Sequence, residues 1–135
     1  MSAEEHLAEA KRLYQKAIEE SKRAKKKNDS TLLRDACAKG WLSTVEAAYA
    51  HLAKKGIKEE ELPKADRGRG YMISKYVERE LGRFYFSLRD RLHIEGYYDG
   101  SLSFEEVERH LEDLNLYIKK VEGLPHLTSP LKGEE

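Results

Sequence analysis

The chain has 135 residues and a mass of 15.6 kDa, which is the size of one domain rather than two. Lys and Arg together number 25, as do Asp and Glu, so the formal net charge is zero and no overall positive field attracts nucleic acid, although a local basic patch for RNA stays open. No run approaches the roughly 18 apolar residues of a membrane helix. Because no secretory signal is recognised and Cys37 has no partner cysteine, we expect a cytoplasmic protein.

The first half of the chain predicts two long helices. Ser2 and Glu5 have the S-x-x-E spacing of a capping box, and apolar residues then recur every three or four positions, which predicts a helix over about 3–27. A second apolar stripe predicts a helix over about 30–55, which Gly56 ends. Cys37 lies on that stripe, so we interpret it as a buried structural thiol rather than a nucleophile.

The second half predicts two further helices. A third apolar stripe predicts a helix over about 64–95, followed by a turn at 96–100. A second capping box then begins a helix over about 103–122. The short links favour antiparallel neighbours, so the expected fold class is all-α, with an antiparallel up-and-down four-helix bundle as a single domain over 1–123. Residues 124–135 are expected to form a flexible tail.

The composition indicates a thermophilic source organism, and the positions of the histidines argue against a metal centre. The chain has 15 Lys and 19 Glu but only two Asn and one Gln, a bias typical of thermophiles. Its five histidines are scattered without zinc-ligand spacing, so we predict no metal and no cofactor. The Arg67-Gly68-Arg69-Gly70 run could hold a phosphate, since amides and arginines at a helix start attract anions, but it lacks the spacing of a phosphate-binding loop. We therefore interpret it as a flexible basic loop.

Arg89 and His93 are the candidate catalytic pair. They are four residues apart and share a helix face. Histidine transfers protons at neutral pH and arginine stabilises phosphate, a combination that suits metal-independent RNA cleavage by the 2′-hydroxyl. One histidine cannot easily be both acid and base, but a dimer would supply two copies. The alternative is structural: Arg89 pairs with helix neighbours and His93 completes the helix near its negative end.

Four neighbouring residues are provisional substrate-binding candidates: Asp90, Tyr97, Tyr98 and Asp99. Tyr97 and Tyr98 fall in the predicted turn, where burial is not automatic. An exposed aromatic pair beside arginines could stack on bases or seal a subunit interface.

The alanine-rich second helix and the Arg…His cluster that ends the third resemble the HEPN superfamily. Within it, the chain is most similar to small prokaryotic members of unknown function whose third helix ends in Leu-His-x-x-Gly-Tyr-Tyr-Asp-Gly, the sequence at 92–100. The resemblance implies an antiparallel helical bundle, often dimeric, with the motifs facing each other across the dimer axis. Many HEPN proteins are RNases, frequently toxins paired with nucleotidyltransferase-type antitoxins, and others are non-catalytic binding modules.

The spacing of the motif favours the non-catalytic class. Three residues separate Arg89 from His93, one fewer than the usual minimum in catalytic HEPN members. A separation shorter by one residue rotates the histidine by about 100° around a helix relative to the arginine. We therefore expect a self-associating binding or interaction module, most simply a homodimer, with a nucleotidyltransferase-type protein as a candidate partner. The alternative is a metal-independent, toxin-like endoribonuclease that uses Arg89 and His93 across a dimer interface.

Overall fold

A computed structural model describes residues 1–127, and all regular secondary structure in that range is helical. The α-helices are α1 (Ala3–Lys27), α2 (Ser30–Lys54), α3 (Asp66–Tyr76), α4 (Arg79–Leu88) and α5 (Phe104–Glu122). A short 3-10 turn spans Glu59–Glu61, and a π-helical segment, Arg89–Asp99, continues α4. The predicted all-α class is thus confirmed for the described residues. Residues 128–135 of the predicted tail lie outside them.

Local capping fixes the hairpin of α1 and α2. Ser2 Oγ accepts from the Glu5 amide at 3.1 Å, and Glu5 Oε1 accepts from the Ser2 amide at 2.7 Å, so the predicted capping box is present. Asn28 ends α1 in the left-handed region at φ 52°, and Asp29 caps α2 through the Leu32 amide at 3.0 Å. A link of only two residues leaves α2 to fold back along α1.

The paired contacts show that α1 and α2 run in opposite directions. Lys39, early in α2, pairs with Glu20 at 2.6 Å, whereas Ser43, further along α2, donates to the Ala10 carbonyl at 2.6 Å. Small side chains let the two backbones approach closely. The fully buried alanines of this pair of helices are Ala10, Ala17, Ala24, Ala36, Ala47, Ala48 and Ala50.

Helix α5 runs opposite to α1. Lys25, at the end of α1, pairs with Glu108 at 3.2 Å, and Lys11 pairs with Glu122 at the other end. The end of α5 is closed by the buried ammonium of Lys54, which donates to the carbonyls of Val121, Glu122 and Leu124 at 3.1, 2.7 and 2.8 Å. A cation at this position complements the negative end of the helix dipole.

The prediction of one continuous helix over 64–95 is wrong. The backbone is extended at Val77 (φ −101°, ψ 157°) and Glu78 (φ −61°, ψ 143°), which separates α3 from α4. The Glu78 carboxylate accepts from Lys55 Nζ at 2.7 Å and lies 3.0 Å from His51 Nε2. These contacts to α2 hold Glu78 outside the helical conformation, and neither glycine nor proline marks the position in the sequence.

The interpretation of Arg67-Gly68-Arg69-Gly70 as a flexible loop is also wrong, because these residues form the first turns of α3. Arg67 is exposed on that helix, whereas Arg69 points inward and is buried. One basic run therefore presents one arginine to solvent and one to the interior.

The predicted turn at 96–100 is instead the end of the π-helical segment, which reaches Asp99 before Gly100 turns at φ 61°. Gly96 permits the close approach, since a Cβ there would lie 2.6 Å from Cys37 Sγ. The prediction that Cys37 is buried is confirmed, and burial raises the pKa of its thiol to about 12. Arg34 Nε and Nη2 donate to the carbonyls of Tyr97 and Tyr98 at 2.8 and 2.7 Å.

Candidate functional site

Arg89 is held by a carboxylate from a different helix. Its Nε lies 3.1 and 3.0 Å from Asp66 Oδ1 and Oδ2, and its Nη2 donates to Oδ2 at 2.7 Å. Asp66 is the first residue of α3, and Arg89 begins the π-helical segment. The hydrogen bonds from Arg89 hold the pKa of Asp66 below its ordinary value. An ionised Asp66 therefore neutralises the Arg89 charge at neutral pH.

A second guanidinium lies beneath this pair. The side chain of Arg69 is 8% exposed, and its Nη1 lies 3.6 Å from Asp66 Oδ1. Arg69 Nη2 donates to the Tyr49 hydroxyl at 3.2 Å and approaches the Lys64 carbonyl at 3.4 Å. The Arg69 guanidinium also lies 5.4 Å from the centroid of the Tyr49 ring. These contacts fix Arg69 with a buried positive charge aimed at Asp66.

Tyr85 completes the buried side of the cluster. It is fully buried, and its hydroxyl has no hydrogen-bond partner among the described residues. Burial raises the pKa of Tyr85, while the interaction of its hydroxyl with the Arg69 guanidinium, followed by the Arg69 charge, opposes the rise. The hydroxyl therefore stays protonated at neutral pH and retains a proton to donate.

His93 lies between two aromatic rings. Its imidazole stacks on Trp41 with centroids 5.0 Å apart and an interplanar angle of 19°, and the edge contact with Tyr98 is 4.9 Å. Nδ1 is buried and has no hydrogen-bond partner within residues 1–127. Burial lowers the pKa of His93, and Arg89 adds to this while Asp66 opposes it. His93 is consequently neutral at pH 7, so it can accept a proton but brings no charge to an anion.

The structure brings some predicted site residues together and separates others. Asp90 Oδ1 lies 3.6 Å from Arg89 Nη1, and Tyr98 contacts His93 directly. The Tyr97 ring contacts the Tyr98 ring edge-on, with ring centroids 5.3 Å apart. Asp99 is exposed and makes no hydrogen bond or ion pair in the part of the chain that the structure describes. Its role in substrate binding stays a prediction.

Sequence reasoning missed two central residues, Asp66 and Tyr85, and considered Arg69 only as part of the basic run at 67–70. Asp66 precedes Arg89 by 23 positions, so no local spacing links them. The one usable signal was the spacing of Asp66 and Arg69. If a helix begins at Asp66, Arg69 follows three residues later and lies on the same helix face as Asp66. The apolar stripe that predicts the third helix includes Phe84 but not its neighbour Tyr85.

The other buried histidines pair with carboxylates and do not form a metal centre. His6 Nδ1 lies 2.7 Å from Glu46 Oε1, and its Nε2 lies 2.8 Å from Glu59 Oε1. Within residues 1–127 no group of three or more His, Cys, Asp or Glu side chains could hold a metal ion. In the same range no helix is long and apolar enough to cross a membrane. Comparisons of the chain with protein-family models, with curated proteins and with solved structures found no match.

Proposed function

We propose that this protein is a HEPN-like helical-bundle module that associates with itself and binds partners without catalysis. The observation that carries the proposal is the exposed pair Tyr97 and Tyr98, displayed on backbone that Arg34 holds in place. The resemblance to HEPN proteins adds a nucleotidyltransferase-type protein as a candidate partner.

The fold we infer is an antiparallel up-and-down four-helix bundle. Its members would be α1, α2, α4 with the π-helical segment, and α5, and α3 would be an added short helix. The contacts support this topology. Arg34, early in α2, meets the end of the π-helical segment, while His51, late in α2, meets the start of α4, so these two elements run in opposite directions.

The surface around Tyr98 has the composition of an interface. Tyr98 is 62% exposed, and the neighbouring Tyr97, which contacts it, is 39% exposed. Tyrosines bury a large area at a small cost in side-chain entropy and are enriched at protein interfaces. Because Arg34 fixes the carbonyls of both tyrosines, little backbone freedom would be lost on association. A twofold axis through this surface would place each Tyr98 against the second copy.

The state of Arg89 argues against catalysis in the single chain. A catalytic arginine must offer its charge to a phosphate, and here a substrate would first have to displace Asp66, which accepts from Arg89 Nε and Nη2. The neighbouring His93 is neutral at pH 7 and stacked on Trp41, an arrangement that also serves packing.

Light scattering with a matched pair of variants tests the self-association. The wild type should have twice the 15.6 kDa chain mass at micromolar concentration. Tyr98→Lys should give monomers, because the substitution places a charge in the proposed interface. Tyr71 is also 62% exposed, but it lies on α3, so Tyr71→Lys should leave the dimer intact. A wild type that stays monomeric, or a Tyr98→Lys variant that stays dimeric, would refute the proposal.

A metal-independent endoribonuclease is the second candidate. The specific observation in its favour is that His93 lies on the π-helical segment that Arg89 begins, and that its Nδ1 has no hydrogen-bond partner among residues 1–127. Burial lowers the pKa of His93, so a neutral imidazole can act as a base there. Purified protein should be incubated with structured and single-stranded RNAs in EDTA, beside His93→Ala and the exposed control His126→Ala. Our primary proposal expects intact RNA throughout. Cleavage that disappears only in His93→Ala would establish the ribonuclease instead.

A further inference from the structure

We propose that a binding site for a phosphate group is formed by Arg69, Arg89 and Tyr85. When no phosphate is bound, the Asp66 carboxylate occupies this site as an internal ligand. Such a site would be autoinhibited, since a ligand has to displace Asp66 before it reaches the arginines. The inference does not rest on self-association, which is measured separately by light scattering.

Asp66 contacts Arg89 in the way that a bound oxyanion does. Both carboxylate oxygens face the guanidinium. Oδ1 and Oδ2 lie 3.1 and 3.0 Å from Nε, and Oδ2 also lies 2.7 Å from Nη2. Arginine binds carboxylate and phosphate through the same fork of parallel N–H donors. A phosphate could therefore replace Asp66 on Arg89 without any change in the donors that Arg89 presents.

Arg69 is poorly satisfied by Asp66. The 3.6 Å separation between Arg69 Nη1 and Asp66 Oδ1 is too long for a hydrogen bond, and Nη1 donates to no other atom of residues 1–127. Meanwhile Tyr49 holds the rest of the guanidinium in place. A tetrahedral phosphate has more oxygens than a carboxylate, so it could bond Arg89 and Arg69 together. The geometry thus suits a larger anion better than it suits Asp66.

Tyr85 supplies an independent sign of a missing ligand. A buried hydroxyl without a hydrogen bond is destabilising, and within residues 1–127 the Tyr85 hydroxyl is such a group. It lies close enough to Arg69, Asp66 and Arg89 to interact with their charges. The ring is held between Trp41 and Phe86, with centroid distances of 5.6 and 5.1 Å, so the hydroxyl cannot turn away to another partner. An oxyanion on the two arginines would give it an acceptor.

The charges and the exposure are consistent with a phosphate that enters from solvent. The side chains of Asp66 and Arg89 are 40% and 32% exposed, whereas Arg69 lies beneath them. With Asp66 displaced, the two guanidinium groups match the double negative charge of a phosphomonoester. Asp90, 3.6 Å from Arg89 Nη1 and mostly exposed, is the carboxylate that would remain nearby.

The test is calorimetric titration with inorganic phosphate. Asp66→Asn keeps the shape of the side chain but removes its charge, and it should bind phosphate at least about tenfold more tightly than the wild type because the competing internal ligand is weakened. Asp66→Asn combined with Arg89→Gln should lose that gain. Asp90→Asn also removes one negative charge beside Arg89 but leaves Asp66 in place, so its gain should be clearly smaller.

Three results would overturn the inference: no gain in a folded Asp66→Asn, an equal gain in Asp90→Asn, or a gain that survives Arg89→Gln. Nuclear magnetic resonance of the wild type gives a second reading that needs no variant. Excess phosphate should shift the Arg89 Nε–H resonance, and an unmoved resonance would count against the site. Adenosine monophosphate and adenosine, titrated in parallel, distinguish a nucleotide ligand from free phosphate. If a base also stacks nearby, adenosine monophosphate should bind more tightly than inorganic phosphate, whereas adenosine should not.

Discussion

The helical hairpin of α1 and α2 and the region from α3 to the π-helical segment are held by different kinds of contact. In the hairpin, two regular helices of 25 residues each are joined by two residues, and buried alanines line their contact. Their caps, Ser2 with Glu5 and Asp29, lie within three residues of the amides that they satisfy. The ends of these two helices are therefore specified by local sequence.

The region over 66–99 depends on contacts from far along the chain. Its first break, at Glu78, is held by Lys55 and His51 of α2, and its π-helical end is held by Arg34. A π-helix is rare and is frequently found at functional sites. Arg89, His93 and Tyr98 all lie on this irregular segment, where His93 contacts Tyr98.

The pH dependence of stability tests the break at Glu78 and has the largest expected effect. His51 is fully buried, and burial lowers its pKa from 6.5 to about 4. The unfolded chain protonates this histidine near pH 6.5, so below that pH the unfolded state binds more protons and the free energy of unfolding decreases. At about 1.4 kcal/mol per pH unit, the loss between pH 6.5 and pH 4 is about 3 kcal/mol.

Denaturant unfolding at several pH values, repeated for His51→Gln, isolates this contribution. The glutamine amide can still donate to Glu78 but does not titrate, so the curve of stability against pH should flatten over this window. His126→Gln replaces an exposed histidine and should keep the wild-type slope. If His51→Gln retains the full slope, His51 is not the group that links the break to pH.

Gly96→Ala tests the contact between the π-helical segment and α2. The added Cβ would lie 2.6 Å from Cys37 Sγ and 2.9 Å from Cys37 Cβ, so the segment would have to move away from α2. Overpacking of this kind typically costs about 1–3 kcal/mol, and we expect about 2 kcal/mol in denaturant unfolding.

The matched control is Gly70→Ala in α3. There the new Cβ would meet Phe86 Cε1 at 3.4 Å, which is ordinary contact, and alanine is the better helix former by up to about 1 kcal/mol. The two alanine substitutions should thus have opposite signs. A Gly96→Ala variant as stable as wild type would mean that the segment does not pack tightly on Cys37.

The features that could be predicted from the sequence are those fixed by local contacts, and the features that could not are those fixed by contacts from far along the chain. The all-α class, the capping boxes at Ser2 and Ser103 and the burial of Cys37 follow from local spacing, and the structure confirms them. The break at Glu78 could not be predicted, because its cause is an ion pair with Lys55, 23 positions earlier. For the same reason the partner of Arg89 was missed. The candidate pair of Arg89 and His93 was visible in the sequence, but the carboxylate that neutralises one of them was not.

Arg34→Lys tests the end of the π-helical segment and has the smallest expected effect. Lysine keeps the positive charge but loses the planar fork with which Arg34 donates to the carbonyls of Tyr97 and Tyr98. Because Arg34 is exposed, the free energy of unfolding should decrease by about 1 kcal/mol or less.

The effect of Arg34→Lys should instead be local, since only the last turn of the segment loses its anchor. Amide hydrogen exchange over 96–101 should accelerate, while exchange in the α1–α2 hairpin stays at the wild-type rate. If exchange accelerates equally in both regions, Arg34 supports the whole fold rather than this turn. If neither region changes, the close packing of Gly96 on Cys37 is sufficient to hold the tyrosines, and the long-range polar contact adds nothing to it.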